Sequence, residues 1–241
     1  FRRVLFRSHR IDRNTQGWLA PPYLRSFMLN TVLPATFWNP DDYMNLWVAP
    51  LANDVLGFAQ FPVQSGIPDL SNENGGAATD GVVIRSTSFG RVGNVEPPYN
   101  QGRSATHEVG HWLGLKHTWG DGNCSVDDFC ADTPESDDGN YGCPTGHLSC
   151  STADMVENYL DYTDDACMNT FTQCQKQRMR TVLQHSPRRA SLLNSAVCST
   201  DLPPIADFVV AQPQVCAGSE VQFFDRSLYG PATWTWTFTG G

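Results

Sequence analysis

No apolar run in the 241 residues approaches the ~20 needed to cross a bilayer, so no segment reads as a membrane-spanning helix. Basic residues are short: 16 Lys and Arg stand against 25 Asp and Glu, a net charge of −9. Phosphate binding needs clustered Lys and Arg, and this balance argues against nucleic acid as a partner. None of the eight cysteines forms the C-x-x-C of a zinc knuckle or redox pair. An initiator Met is missing, and the opening Phe1–Ser8 (FRRVLFRS) lacks the uninterrupted apolar stretch of a signal peptide. Residues 1–8 are therefore expected to be a non-native tract, and the chain a fragment.

Hydrophobic residues at 40% suffice for a sizeable core, and the length fits one domain and part of another. Eight cysteines are many for a cytosolic enzyme of this size and point to disulfides in an oxidising compartment, secreted or at the cell surface. The acidity is local. Thr118 to Asp138 holds Asp121, Asp127, Asp128, Asp132, Glu135, Asp137 and Asp138 with no Lys or Arg, which directs attention to bound cations.

Along the chain, Tyr23–Val32 is a short helix candidate among prolines. Asn45–Ala49 (NLWVA), Gly57–Phe61 (GFAQF) and Gly81–Arg85 (GVVIR) read as three strands of one sheet. The pattern predicts a helix from an N-cap at Ser104 to Gly114, then a long irregular segment to about Asp154 that ligands or disulfides must order. A second helix is expected over Thr172–Gln184, stopped by Pro187. Residues 201–204 read as a linker, and ADFVV, VQFFD and TWTWTFTGG after them alternate like half-buried strands.

His107-Glu108-Val109-Gly110-His111 places two imidazoles one helical turn apart, facing one ion, with Glu108 beside the open coordination position. Gly114 lets the backbone leave the helix sharply and brings His117 round as a third ligand. With six His, six Glu and 20 Gly, the chance of H-E-x-x-H-x-x-G-x-x-H arising at random is on the order of 10⁻⁵. Three histidines and an open position suit a catalytic zinc, with Glu108 as general base and then acid in peptide hydrolysis. Only neutral imidazoles bind, so metal and activity are expected to be lost together below roughly pH 6. His9, His147 and His185 are given no role.

From about Met44 to Ser199 the sequence resembles the pappalysin family of metzincin proteases, in its cytophagalysin and ulilysin-like branch. The landmarks are MNLWVAPL, LGFAQFP, DGVVIRSTSFG, ATHEVGHWLGLKHTWGDGNC, DDFCADTP, YGCP, ENYLDYTDDACMNTFT and QKQRM. The resemblance implies an α+β fold with a twisted mixed sheet, an active-site helix and a horizontal cleft, in a catalytic domain over residues 9–200, truncated at its N-terminus. It implies zinc on His107, His111 and His117, Glu108 as catalytic base, and the Tyr162 hydroxyl as an oxyanion stabiliser. It places Leu160 where the family has its Met-turn methionine, a swap close in volume.

It also implies disulfides Cys124–Cys150 and Cys143–Cys167, each worth roughly 3 to 4 kcal/mol in the chain-entropy model. Cys130, Cys174, Cys198 and Cys216 are left with three possible connectivities. The family binds calcium around its D-T-P stretch, here Asp132-Thr133-Pro134, which makes Asp127, Asp128 and Thr133 candidate ligands. Protein or peptide substrates are expected to add a strand to an exposed sheet edge, with Gly57–Phe61 as that edge. Asp164 or Asp165 is a candidate to select a basic residue after the cut. Residues 205–241 resemble part of a PKD-type, immunoglobulin-like β-sandwich. The rival expectation is a calcium-stabilised surface or adhesion protein on an inactive protease fold.

Overall fold

The computed structural model describes residues 9–14, 16–197, 205–210, 218, 220, 221, 223–225, 227 and 233–237. They fall into two compact units, Trp18–Asn194 and a second comprising Phe1–Gly17 with Ser195–Gly241. The 1–8 tract and the 201–204 linker lie outside the described residues.

In the larger unit the three strands form one sheet. β1 (Asn45–Ala49), β2 (Gly57–Ala59) and β3 (Gly81–Arg85) are ordered β1-β3-β2. β1 runs parallel to β3 with Asn45 opposite Gly81, and β2 runs antiparallel with Gly57 opposite Ile84. Along β1 burial alternates, with Trp47 and Ala49 inside and Leu46 and Val48 outside, as a half-covered strand requires. β3 reads V-V-I without alternation because both of its faces are covered.

One face packs against a helix preceding β1, longer than the expected Tyr23–Val32. It consists of α1 (Arg25–Phe27), a π-helical stretch Met28–Val32 and α2 (Leu33–Thr36). Met28, Val32 and Leu33 meet Trp47, Ala49, Leu51, Phe58 and Val83 there. Full burial of such side chains contributes about 1.5 to 3 kcal/mol each. The other face receives α3 (Arg103–Trp112), where Val82, Ile84 and Trp112 pack together. The N-cap of α3 is Gly102 in the left-handed region (φ 79°), while Ser104 is buried inside the helix. Ser104 fits the cap pattern, but Gly102 adopts this φ freely and turns the chain two residues earlier.

The segment after α3 is irregular over most of its length and is fastened rather than folded into long elements. Disulfides Cys124–Cys150 and Cys143–Cys167 close it, with Cα separations of 5.3 and 5.8 Å. Between them lies the short hairpin β4 (Leu148–Ser149) and β5 (Thr152–Ala153). The buried Asp154 carboxylate accepts from Ser149 N–H (3.0 Å), Ser149 Oγ (2.7 Å) and Asn140 Nδ2 (3.0 Å), and Asp161 accepts from Asn140 N–H (2.7 Å). A buried network with this many partners orders a long connection without secondary structure.

α4 (Gln173–His185) is entered through a capping box, Thr172 Oγ1 accepting from Gln175 N–H and Gln175 Oε1 from Thr172 N–H. It is followed by α5 (Pro187–Ala190). Two arginines pin these helices to the end of α3. Arg178 Nε donates to Gly114 O (2.6 Å), and Arg189, 1% exposed, donates to both Asp80 oxygens (2.7 and 2.8 Å) and to Trp112 O (3.0 Å).

In the smaller unit, β6 (Phe208–Val210) and β7 (Phe223–Asp225) pair antiparallel, and the rings of Phe208, Phe223 and Trp236 lie 5.2 to 5.8 Å apart. The strand expected in TWTWTFTGG is not formed over 233–237, where Trp236 contributes a ring to this cluster but no strand pairing is made among the described residues.

Candidate active site

The middle and last turns of α3 carry the two histidines. His107 and His111, four residues apart, turn their Nε2 atoms to within 3.0 Å of each other. At the helix end Gly114 takes φ +87°, and a Cβ there would stand 2.8 Å from Val182 Cγ2, so both the conformation and the space require glycine. The turn brings His117 back, its Nε2 3.2 Å from that of His107 and 3.0 Å from that of His111.

The outward nitrogens decide the tautomers. His107 Nδ1–H donates to Tyr159 O and His111 Nδ1–H to Leu115 O, both at 2.8 Å, and His117 Nδ1–H donates to Asp121 Oδ1. Carbonyls and carboxylates only accept, so each Nδ1 carries the proton and each Nε2 a lone pair. Three lone pairs facing one another at 3.0 to 3.2 Å repel unless a cation lies among them. The donor set thus fits a divalent ion that takes imidazole nitrogen, and the Nδ1 acceptors are the outer partners that hold such ligands in place.

Burial favours the neutral imidazoles. It holds His107 well below the ordinary histidine value, with His111 and His117 adding repulsion, and holds His111 down at about 3. Each is a base whose charged form is disfavoured in the fold, so the neutral, ligating form persists as pH falls through 6.

Glu108 is 7% exposed, and burial pushes its carboxyl up to about 8. A cation at the three Nε2 atoms opposes that desolvation and favours the carboxylate. Glu108 also packs against the sheet. A Cβ on Gly57 would stand 2.7 Å from Glu108 Cγ and 2.8 Å from Val83 O, so β2 approaches the carboxylate as closely as glycine allows.

Around the imidazoles, Trp119 stacks on His117 at 4.4 Å with 4° between planes, and Tyr162 lies edge-on to His117 at 4.8 Å and to Trp119 at 4.7 Å. Burial pushes the Tyr162 phenol up to about 12, so it stays a donor. Leu160 is fully buried and its carbonyl accepts Thr118 N–H at 3.3 Å. A cleft of about 830 Å³ opens over these groups, lined by Gly57, Phe58, Glu108, His117, Tyr162 and Asp165 among others. β2 is an edge strand of the sheet beside it.

Asp127, Asp128 and Thr133 lie outside this cleft. Asp128 is 4% exposed with its carboxyl pushed up to about 7, chiefly by burial, and the buried Thr133 hydroxyl lies beside it, while Asp127 is exposed and accepts Phe129 N–H at 2.8 Å. Sequence reasoning missed Asp121, Trp119 and Gly57. Asp121 was visible only as one of seven acids; its spacing of four from His117 was the available signal. His147 binds Asp154 (3.0 Å) and His185 binds Thr181 O (2.9 Å), ordinary structural contacts.

Paired histidines on a helix, a third past a glycine turn, and a cleft along an edge strand together define a metzincin-like zinc peptidase fold. The family model for Peptidase M43, pregnancy-associated plasma protein-A, matches residues 28–184, and the chain belongs to this pappalysin family, whose metalloprotease character implies a catalytic zinc. It is 37% identical over 149 residues to an extracellular metalloprotease of Arthroderma gypseum, covering 59% of this chain and 48% of the relative. Against an extracellular metalloprotease of Verticillium alfalfae it is 38% identical over 141 residues, covering 57% and 49%. Among solved structures it is similar to mature mirolysin of Tannerella forsythia in complex with a cleaved peptide, at 45% identity and a TM-score of 0.57, covering 66% of this chain and 59% of that one. The chain thus spans about half the length of the curated relatives it matches.

Proposed function

We propose that this chain is the catalytic part of a secreted zinc-dependent endopeptidase. The observation that carries the reading is the convergence of three unprotonated Nε2 atoms beside the buried Glu108, in a cleft bordered by an edge strand. His107, His111 and His117 hold the ion, which when bound supplies the Lewis acidity that acidifies a water and polarises a carbonyl. Glu108 takes the proton from the water and returns it to the leaving amine, and the Tyr162 hydroxyl donates to the developing oxyanion. The peptide pairs with β2, whose edge offers main-chain hydrogen bonds.

Asp165, rather than Asp164, selects a basic residue after the cut. It lines the cleft, and its Oδ2 accepts Gln101 N–H (2.6 Å) and Arg103 N–H (3.2 Å), whereas its Oδ1 is buried with no hydrogen-bond partner among the described residues. Mass-spectrometric profiling of a peptide library digested by the full chain tests both points. Internal cuts enriched in Lys or Arg after the scissile bond are expected, and Asp165→Asn should reduce that preference about 10- to 100-fold. Unselective cuts overturn the role of Asp165; no cuts at all favour the inactive, adhesive reading, which the intact Glu108 and three histidines oppose.

Calcium at Asp127, Asp128 and Thr133 is the second metal of this reading, because a nearly buried carboxylate with an acidic neighbour gains from a hard cation. Removing calcium with zinc left in place should lower the melting temperature by several degrees and speed autolysis. Unchanged melting and autolysis would remove calcium from Asp127, Asp128 and Thr133. Residues 205–241 are assigned to a PKD-type accessory module, supported by the β6–β7 pairing and its aromatic cluster. The disulfides and the extracellular relatives support secretion.

A further inference from the structure

Cys130 and Cys174 are the two free cysteines among the described residues, 44 positions apart in sequence and on opposite sides of a packed contact. Cys130 is 1% exposed in the loop after Asp128, and Cys174 sits in the first turn of α4. Their sulfurs, with an Asp132 oxygen, lie within 4.8 Å of one another. The backbones are already fastened at this point: Cys174 N–H donates to Asp132 Oδ2 (3.0 Å), and the Cys174 thiol approaches Phe129 O at 3.6 Å.

We infer that Cys130 and Cys174 form a third disulfide in the secreted protein, stapling the acidic loop to the start of α4. Rotation about χ1 between staggered positions sweeps a cysteine sulfur through roughly 3 Å, comparable with the gap between a separation of at most 4.8 Å and a bond of about 2.05 Å. A metal is the weaker occupant, since two thiols and a carboxylate already accepting the Cys174 N–H fall short of the four sulfur or nitrogen ligands of structural zinc sites.

Bond formation is thiol–disulfide exchange. One thiolate attacks a small-molecule or protein disulfide and displaces one of its thiols; the other cysteine then attacks the mixed disulfide and releases the second. The cysteine pair loses two protons and two electrons, and the donor disulfide is reduced to two thiols. Of the three connectivities open in the sequence, this selects the one that joins Cys130 to Cys174; Cys198 and Cys216 lie outside the described residues.

The test is a non-reducing peptide map of the full secreted chain, alkylated before unfolding and again after it. A linked peptide pair containing Cys130 and Cys174 is expected, and Cys130→Ser should free Cys174 for alkylation while lowering the melting temperature by roughly 10 °C. Both cysteines alkylated while Cys124–Cys150 and Cys143–Cys167 remain linked would overturn the inference, as would a link from either to Cys198 or Cys216. A second zinc ion, besides the one at the three histidines, lost from a Cys130→Ser, Cys174→Ser double variant would overturn it too. The wild-type map decides the question even if the variants fail to fold.

Discussion

Glu108→Gln should lower kcat/KM for casein by about 10³-fold while the protein keeps its zinc. The amide matches the carboxylate in size and fills the same buried place against β2, but it accepts no proton from water and returns none to the leaving amine. The three Nε2 atoms and their Nδ1 acceptors do not involve Glu108, so metal content should not change. Kinetics paired with metal analysis separate the two roles. Equal rates in the variant and the parent would remove Glu108 from the chemistry, whereas joint loss of zinc and activity would make it a structural support of the site.

Gly57→Ala should be nearly as damaging although residue 57 carries no chemistry. The added methyl would stand 2.7 Å from Glu108 Cγ and 2.8 Å from the Val83 carbonyl, so either the carboxylate or the edge strand must move. A displacement of about 1 Å at a catalytic group is enough for a loss on the order of 10²-fold. Because β2 is also the proposed docking edge, KM should rise as kcat falls, with zinc content unchanged. Full activity in this variant would show that the close approach of β2 to Glu108 is slack rather than a constraint.

Local pattern made much of this molecule legible. The strands NLWVA and GVVIR fall at the expected residues, GFAQF is shortened to Gly57–Ala59, and the turn at Gly114 follows from the one residue type that tolerates its φ. The two disulfides between 124 and 167 came from resemblance, not from spacing, and the structure contains both. What remained hidden depends on long-range packing. Nothing local tells Gly57 apart from other glycines, since its constraint is a side chain 51 positions later. The cap of α3 was misplaced because a left-handed Gly102 leaves no polar signature, while Ser104 imitates one. Asp121 was read as bulk charge because its importance lies in which nitrogen of His117 it faces.

The central claim, that cleavage depends on one zinc held by His107, His111 and His117, is tested most directly by removing and restoring the metal. Full chain stripped with a zinc chelator, calcium being resupplied, should show no casein cleavage, and one equivalent of zinc should restore it, while His111→Ala should neither hold the zinc nor recover. Undiminished cleavage by metal-free protein would contradict the account.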